Sequence, residues 1–392
     1  MGIFSFLKKK NTAENVLVID IGSSSVTASY VVFGGATPII SASVTSEISV
    51  LSDLSFSRFE SEMMRALQHS ISGLHGKKRV PPDRIQVYLA SPWYASQVRV
   101  AKVSRPTPFV VTKVMLGDII AKELKAFEDE EVTKKMHTNE AIRVIESNTL
   151  QVKLNGYAHN DPISVIAHEL ELSIFLAISS EHILKKIEDH LSVNFGHRKV
   201  IFSSFIGASF VVSRDFFPHQ QSYILVDIGG EVTDVSYVKD GTLIQSTSFP
   251  EGKNFMLRRL SIELKRSIPE SVTLCMLYME NKVENSIKET CEKILTKAKE
   301  EWLEHFQKAL FSTSNELSLP DTILITVDSY VGPWFVDAIK TEKFGQYALT
   351  EKEFKIIPLD ATFFHTALDF EEGVPRNPFS MIEVLASARK QK

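Results

Sequence analysis

Apolar and polar positions along this chain alternate between two periods, and the switches between them outline its elements. Val16 to Ile19 is a continuous apolar run ending in Asp20, the pattern of a buried strand. Ile21-Gly-Ser-Ser-Ser25 forms a turn of small residues, Val26 to Phe33 resumes as a second strand, and Gly34-Gly35 sets up a hairpin into Pro38 to Val44. Between Phe56 and Ser72 the apolar residues Phe56, Phe59, Met63, Met64, Leu67 and Ile71 keep a helical spacing. After a basic, Gly- and Pro-containing break over 73–82, Ile85 to Ala90 and Gln97 to Val103 read as strands and Thr112 to Phe127 as a helix with Thr112 as its cap. Ala141 to Leu154 and Ile163 to Ile178 are two further strands, and Ser180 to Val193 a helix capped by Ser180 and stopped near Gly196.

The second half repeats the opening theme. Lys199 to Ser203 is a short strand and Phe205 to Val212 a short apolar segment. Tyr223 to Val226 is again an apolar strand ending in an acid, Asp227, followed by a Gly-rich turn, a strand from Val232 to Val238, and the hairpin signal Asp240-Gly241. Phe255 to Arg266 reads as a basic amphipathic helix whose Arg258, Arg259, Lys265 and Arg266 form a solvated face. A long helix is predicted over 280–310, with Cys291 on its apolar stripe, where a buried inert thiol is expected. Thr322 to Val327 is another buried strand and Met381 to Ala388 a final short helix.

The repeated unit carries the candidate chemistry. Val18-Ile-Asp-Ile-Gly-Ser-Ser-Ser-Val26 and Val226-Asp-Ile-Gly-Gly-Glu-Val-Thr-Asp-Val235 each set an Asp at the end of a buried strand, one residue before a Gly. Small residues let backbone N–H groups approach a phosphate closely, and an adjacent carboxylate holds Mg²⁺ through its water shell. One such turn alone is usually only a turn; a matched pair in the same strand context is a much stronger sign. Two hairpins facing one another would clamp a polyphosphate from both sides.

These paired motifs resemble the two phosphate hairpins of the actin-like and sugar-kinase superfamily. Asp227-Ile-Gly-Gly-Glu-Val-Thr-Asp234 with Val-Ser-Tyr-Val-Lys-Asp-Gly241 is most similar to the FtsA cell-division family, with the PilM pilus family a close second. Phe249-Pro-Glu-Gly252 is similar to the family's I-P-x-G-G stretch. The resemblance implies an α/β, actin-like (ribonuclease H-like) two-lobed fold with an inserted small α/β subdomain. It divides the chain into a basic amphipathic tail over 1–15, the first part of the first lobe over 16–83, the inserted unit over 84–179, and the rest of the first lobe with the second lobe over 180–392. It implies ATP and Mg as cofactors. Asp20, Gly22, Ser23 and Ser24 would meet them from one side and Asp227, Gly229, Gly230 and Thr233 from the other, Asp20 and Asp227 beside the metal.

The chain departs from the pattern at several points. Ser25 stands where many division-type members have Lys; Glu231 and Val232 replace small residues; no carboxylate stands at Ser203-Ser204 to orient a water; and Thr326-Val-Asp-Ser-Tyr-Val-Gly332 keeps only one Gly on the adenosine side. The resemblance therefore implies nucleotide as a conformational ligand, with weak or absent ATPase activity. The implied role is an FtsA-like scaffold joining cytoplasmic tails of division envelope proteins, with self-association into filaments. The alternatives are a PilM-like pilus assembly adaptor gripping a short peptide, a nucleotide-free scaffold, or a small-molecule kinase, for which no catalytic base stands out. Asn377-Pro378-Phe379 leans towards the pilus type and Thr233-Asp234 towards the division type.

Composition narrows this picture. A net charge of −4 argues against nucleic acid as partner, and two cysteines, Cys275 and Cys291, match no zinc or redox spacing and suit a reducing cytoplasm. Ile3, Phe4, Phe6 and Leu7 followed by Lys8, Lys9 and Lys10 could place an apolar face on the inner surface of a membrane. His168 in an apolar strand reads as a core hydrogen-bonding histidine, and Trp93 and Tyr94 as a packed loop.

Overall fold

The computed structural model describes residues 13–51, 55–77, 81–130, 141–313, 319–341 and 354–389. Ile3, Phe4, Phe6 and Leu7, and with them the expected membrane contact, lie outside the described residues.

The apolar run at the start becomes β1 (Glu14–Ile21), which pairs antiparallel with β2 (Ser25–Phe33), itself antiparallel to β3 (Ile39–Glu47). Helix α1 (Phe56–His75) lays Phe59, Met63, Leu67, Ile71 and Leu74, its helically spaced apolar residues, against β2 and β3. The chain then returns as β4 (Arg84–Leu89), parallel to β1.

An excursion follows: β5 (Ala95–Val110), α2 (Lys113–Asp129), β6 (Ile142–Leu154), the short β7 (Tyr157–Ala158) and β8 (Ile166–Ser180) form a separate sheet in the order β5-β8-β6-β7. Thr112 caps α2, accepting from Met115 N at 3.1 Å. Asn155 and Gly156, both with positive φ, turn β6 into β7. β4 is hydrogen-bonded to the first lobe's β1, so the separate sheet starts at Ala95 rather than at the expected 84.

Helix α3 (Glu181–Phe195) ends at Gly196 with φ +70°; Ser180 occupies its cap position but makes no cap hydrogen bond. β9 (Val200–Ser204) runs parallel to β4, and α4 (Phe205–Phe216) starts at once behind a true cap, Ser204, which accepts from Gly207 N. The apolar segment after Ser204 is thus a helix, buried on nearly every side.

The second lobe repeats the first. β10 (Tyr223–Ile228), β11 (Thr233–Lys239) and β12 (Thr242–Phe249) form an antiparallel meander, and β13 (Thr322–Val327) joins parallel to β10. Helices α5 (Lys253–Leu264), α6 (Ile268–Met279), α7 (Asn285–Thr313) and α8 (Gly332–Thr341) surround a core in which Trp302 stacks on Phe306 at 4.9 Å. Cys275 and Cys291 are buried in it as free thiols. β14 (Lys355–Pro358) extends this sheet to the order β12-β11-β10-β13-β14, and β15 (Asp369–Phe370) joins the first, giving β15-β3-β2-β1-β4-β9. The last helix, α9 (Pro378–Arg389), packs on α4, on β1 and β2 of one lobe and on β13 of the other. Asn377 caps it, accepting from Phe379 N at 2.9 Å, with Pro378 at the first helical position, so this tripeptide has a local structural purpose.

Gly252, just before α5, shows how tightly the second hairpin is backed. Lys253 N and Asn254 N donate to the carbonyls of Gly229 and Gly230, and a Cβ at 252 would overlap both oxygens. Gly252→Ala should therefore lower the denaturation free energy by about 1–3 kcal/mol, as overpacking does; an unchanged urea midpoint would show that the hairpin can move aside freely.

Candidate functional site

Both Asp-bearing turns are built alike. Gly22 N donates to Ser25 O and Gly229 N to Val232 O, each at 3.0 Å, closing a hairpin just beyond the acid. Asp20 lies opposite Thr27 on β2, and Asp227 opposite Asp234 on β11. The two hairpins then meet across the lobes. Ser23 Oγ accepts from Glu231 N at 3.0 Å, and a Cβ on Gly230 would stand 2.7 Å from Ser23 O and Ser24 Cβ. The absence of a side chain at 230 is what permits this approach.

Behind the hairpins the crevice is lined with acids. Asp20 and Asp227 are buried, as are Asp234 and, from α9, the fully buried Glu383. Burial pushes the Asp20 carboxyl up to about 7; the neighbouring Glu383 carboxyl works the other way and the charge of Asp328 adds to the rise. Burial also raises Asp227 well above the carboxylate range, reinforced by the charges of Asp234, Asp20 and Asp328. Asp234 is lifted to about 6 by burial, moderated by Ser248 Oγ at 2.5 Å and Ser91 Oγ at 2.9 Å. Glu383 is raised by burial and then by Asp20 and Asp227. Asp227 Oδ1 is buried without a hydrogen-bond partner, and the buried Glu383 carboxyl has no partner but the carboxyl of Asp20.

This is the observation against which Mg²⁺ with a polyphosphate is tested. Orphaned, crowded carboxylates call for a cation, since a buried charge without a partner costs several kcal/mol, on the order given by ion transfer into a dry interior. Among the described residues no three His, Cys, Asp or Glu side chains converge to hold a metal directly. A hydrated dication, which keeps most of its water and takes few carboxylates, suits such a site. The residues fit the group: Asp20 and Asp227 would flank the hydrated ion, which would neutralise polyphosphate charge.

The expected site residues separate into two sets. Asp20, Gly22, Ser23, Ser24, Asp227, Gly229 and Gly230 come together at the lobe junction. Thr233 does not: it is fully buried in the second lobe, its hydroxyl donating to Glu251 O at 2.6 Å and accepting from Trp302 Nε1 at 3.3 Å. Glu231 turns its carboxylate away from the turn into an ion pair with Arg258 and a 2.8 Å bond from Asn254 Nδ2, so Arg258 belongs to no solvated face; Arg259 pairs with Glu301. His168 is exposed and not a core residue, its Nδ1 lying 3.4 Å from Arg105 O.

Other contributors come from distant segments. Trp93, fully buried, donates to Gly22 O at 2.7 Å and stacks on Phe59, so it holds the first turn from behind. Lys253 pairs with Asp328 and lies 5.4 Å from the Tyr330 ring; burial opposes its charge, but Asp328, Tyr330 and Glu47 outweigh that and raise its pKa. At Ser204 the carboxylate that the local sequence lacks arrives from β6: Glu146 Oε2 accepts from Ser204 N at 3.1 Å and from its hydroxyl. Their only sequence signals are a buried-type Trp beside Pro92 and a Lys after Gly252; nothing marks Glu146 or Glu383.

No family model matches the chain, and no curated protein does. Among solved structures it is similar to a chain of the "PilM-PilN type IV pilus biogenesis complex", at 12% identity and TM-score 0.63, over 95% of this chain and 97% of that one. A Bacteroides thetaiotaomicron protein "with actin-like ATPase fold and unknown function" aligns over 98% of this chain and 99% of its own at 10% identity and TM-score 0.40. The ethanolamine utilization protein EutJ from Carboxydothermus hydrogenoformans aligns over 95% and 88% at 9% identity and TM-score 0.39. The twice-repeated sheet and the likeness to the pilus-complex chain give this chain an actin-like, two-lobed α/β fold.

The raised acids have a measurable sign. Asp20 gives up its proton near 3.8 when exposed but near 7 in the fold, so between those values the folded state holds the extra proton. Its contribution to stability is whole below pH ~4 and is lost as pH rises through ~7. Asp20→Asn should thus lose less stability than the parent between pH ~4.5 and ~7.5, by an amount on the order of 3 kcal/mol. Identical pH slopes in urea melts of the two chains would place Asp20 outside a dry crevice.

Proposed function

We propose that this chain is an actin-fold adaptor of the PilM type, binding Mg·ATP in the interlobe crevice as a conformational ligand and gripping a short segment of an envelope protein in a separate groove. The groove carries the proposal. It is a cavity of about 250 Å³ where β6 and β8 of the inserted sheet meet β4, α4, α9 and β12. Phe175, Phe210, Val211 and Leu243 make its apolar floor, and Arg214 stands at its rim stacked on Phe210 at 5.5 Å, paired with no carboxylate among the described residues. Along this side β7 pairs only with Lys153 and Leu154, so β6 from Ile142 to Gln151 keeps an edge with no strand in ladder pairing with it among the described residues.

An open strand edge above an apolar trough is the setting in which an extended peptide adds by backbone hydrogen bonds and anchors alternate side chains below. The unpaired Arg214 favours a segment with an acidic residue. The solved pilus complex, whose printed name pairs PilM with PilN, gives this reading a precedent in an aligned fold that extends over nearly all of both chains. Thr233 and Asp234, which leaned towards a division-type protein, are held in internal hydrogen bonds, so they lend no support to that alternative.

Mg·ATP should raise the melting temperature of the parent chain and leave Asp227→Asn unmoved, because that variant loses a crevice acid whose buried Oδ1 has no hydrogen-bond partner; equal shifts in both would remove nucleotide from this site. A photo-crosslinking residue at Val211, introduced in the native cell, should capture one envelope protein through a terminal segment, while the same residue at exposed Val193 captures none. Equal or absent capture at Val211 would overturn the groove.

A further inference from the structure

Helix α9 is a wall of both sites. Its Glu383 is fully buried in the crevice and meets the carboxyl of Asp20. One turn on, Ser387 Oγ meets Tyr88 Oη at 2.9 Å, and Tyr88, Ala386 and Arg389 line the groove. Helix α4, which packs against α9, forms the opposite wall with Gly207, Ala208, Phe210, Val211 and Arg214. Its first turn is held by Glu146 of the inserted sheet through Ser204, and Glu146 also lines the groove. Asn377, at the head of α9, donates to Thr27 Oγ1 at 3.4 Å, and Thr27 is the residue paired with Asp20 across β1 and β2. Met381, Ile382, Glu383, Val384 and Ser387 are fully buried, so most of α9 is close-packed, and a push on its groove-facing side is carried into those contacts.

We infer that groove and crevice are coupled through α9, with Glu383 as the positioning residue that transmits the state of one to the other. The inference rests on the function proposed above and adds regulation to it. A peptide wedged between β6 and α9 displaces the helix, and with it the carboxyl group set against Asp20. The crevice then presents a different acid geometry to a hydrated cation and to the two hairpins. Linkage makes the effect reciprocal: whatever factor groove occupancy applies to crevice affinity, crevice occupancy applies to the groove.

The test fills the groove from the side that does not touch α9. Thr149, exposed on β6 and lining the cavity, is changed to Trp, alone and with Glu383→Gln, and amide hydrogen exchange is followed over residues 21–25 and 229–232. Thr149→Trp should change exchange in these turns at least about fivefold, the lower end of ordinary coupling, and Glu383→Gln should erase that difference. Turns that exchange alike in parent and Thr149→Trp, or a difference that survives Glu383→Gln, would overturn the coupling. Titration of Mg·ATP into the same chains separates the two readings. Absence of binding removes the nucleotide while exchange still decides the coupling; binding whose affinity ignores Thr149→Trp counts against the coupling itself.

Discussion

Carboxylates of like charge, held close together in a dry crevice, are the constraint from which the rest of this molecule follows. Asp20, Asp227, Asp234 and Glu383 arrive on four different elements, β1, β10, β11 and α9, from the chain's two ends and middle, and burial raises all four. Such a group is stable only with protons or with a cation. The four are not equally provided for. Asp234 has two serine hydroxyls and Asp20 has Glu383 beside it, whereas Asp227 keeps one oxygen with no partner at all. The crevice is therefore asymmetric, and the second hairpin is its needier half.

The two hairpins share a design but not a support. The first is held from behind by Trp93, a side chain on the connection leading into the inserted sheet. The second is held by backbone, through the first amides of α5 and the missing side chain of Gly252. Helix N-terminal amides that could have faced an anion are thereby committed to carbonyl oxygens of the loop. Stiffness in the second hairpin and a tether to the inserted sheet in the first mean that motion of the inserted sheet acts more directly on Asp20 than on Asp227.

The strands and the repeated unit were legible because they rest on local rules. A continuous apolar run ending in Asp, then an Ile and a Gly, small residues after it, and another strand, is a buried-strand signal with turn chemistry attached, and it marks β1, β2, β10 and β11. Thr112 was legible as a cap for the same reason. Helix α6 carries a full capping box, Ser267 with Glu270 and Pro269 in the first turn, and is open to the same rule. What could not be read is what depends on long-range packing. Glu146 and Glu383 look like ordinary helix or strand carboxylates until the fold buries them, and Thr233 looks like a phosphate ligand until Trp302 and Glu251 claim its hydroxyl. The edge of β6 is likewise a matter of which strands fail to pair, which no single segment states.

That division between local and long-range information also explains where function sits on this fold. The hairpins, fixed by local sequence, are a matched pair of Asp-bearing turns of small residues, and such a pair alone does not specify a role. The features that distinguish this chain are assembled by tertiary contacts at one junction: the inserted sheet sends Glu146 to the head of α4, the second lobe lends Leu243 to the groove floor, and the C-terminal helix sends Glu383 to the crevice. A groove built from all three units cannot be filled without leaning on each of them, and a crevice whose acids are already crowded has little tolerance for a shifted neighbour. Coupling between the two is thus the expected consequence of placing both on one buried helix, since close-packed interiors respond to displacement by switching between arrangements rather than by deforming in proportion.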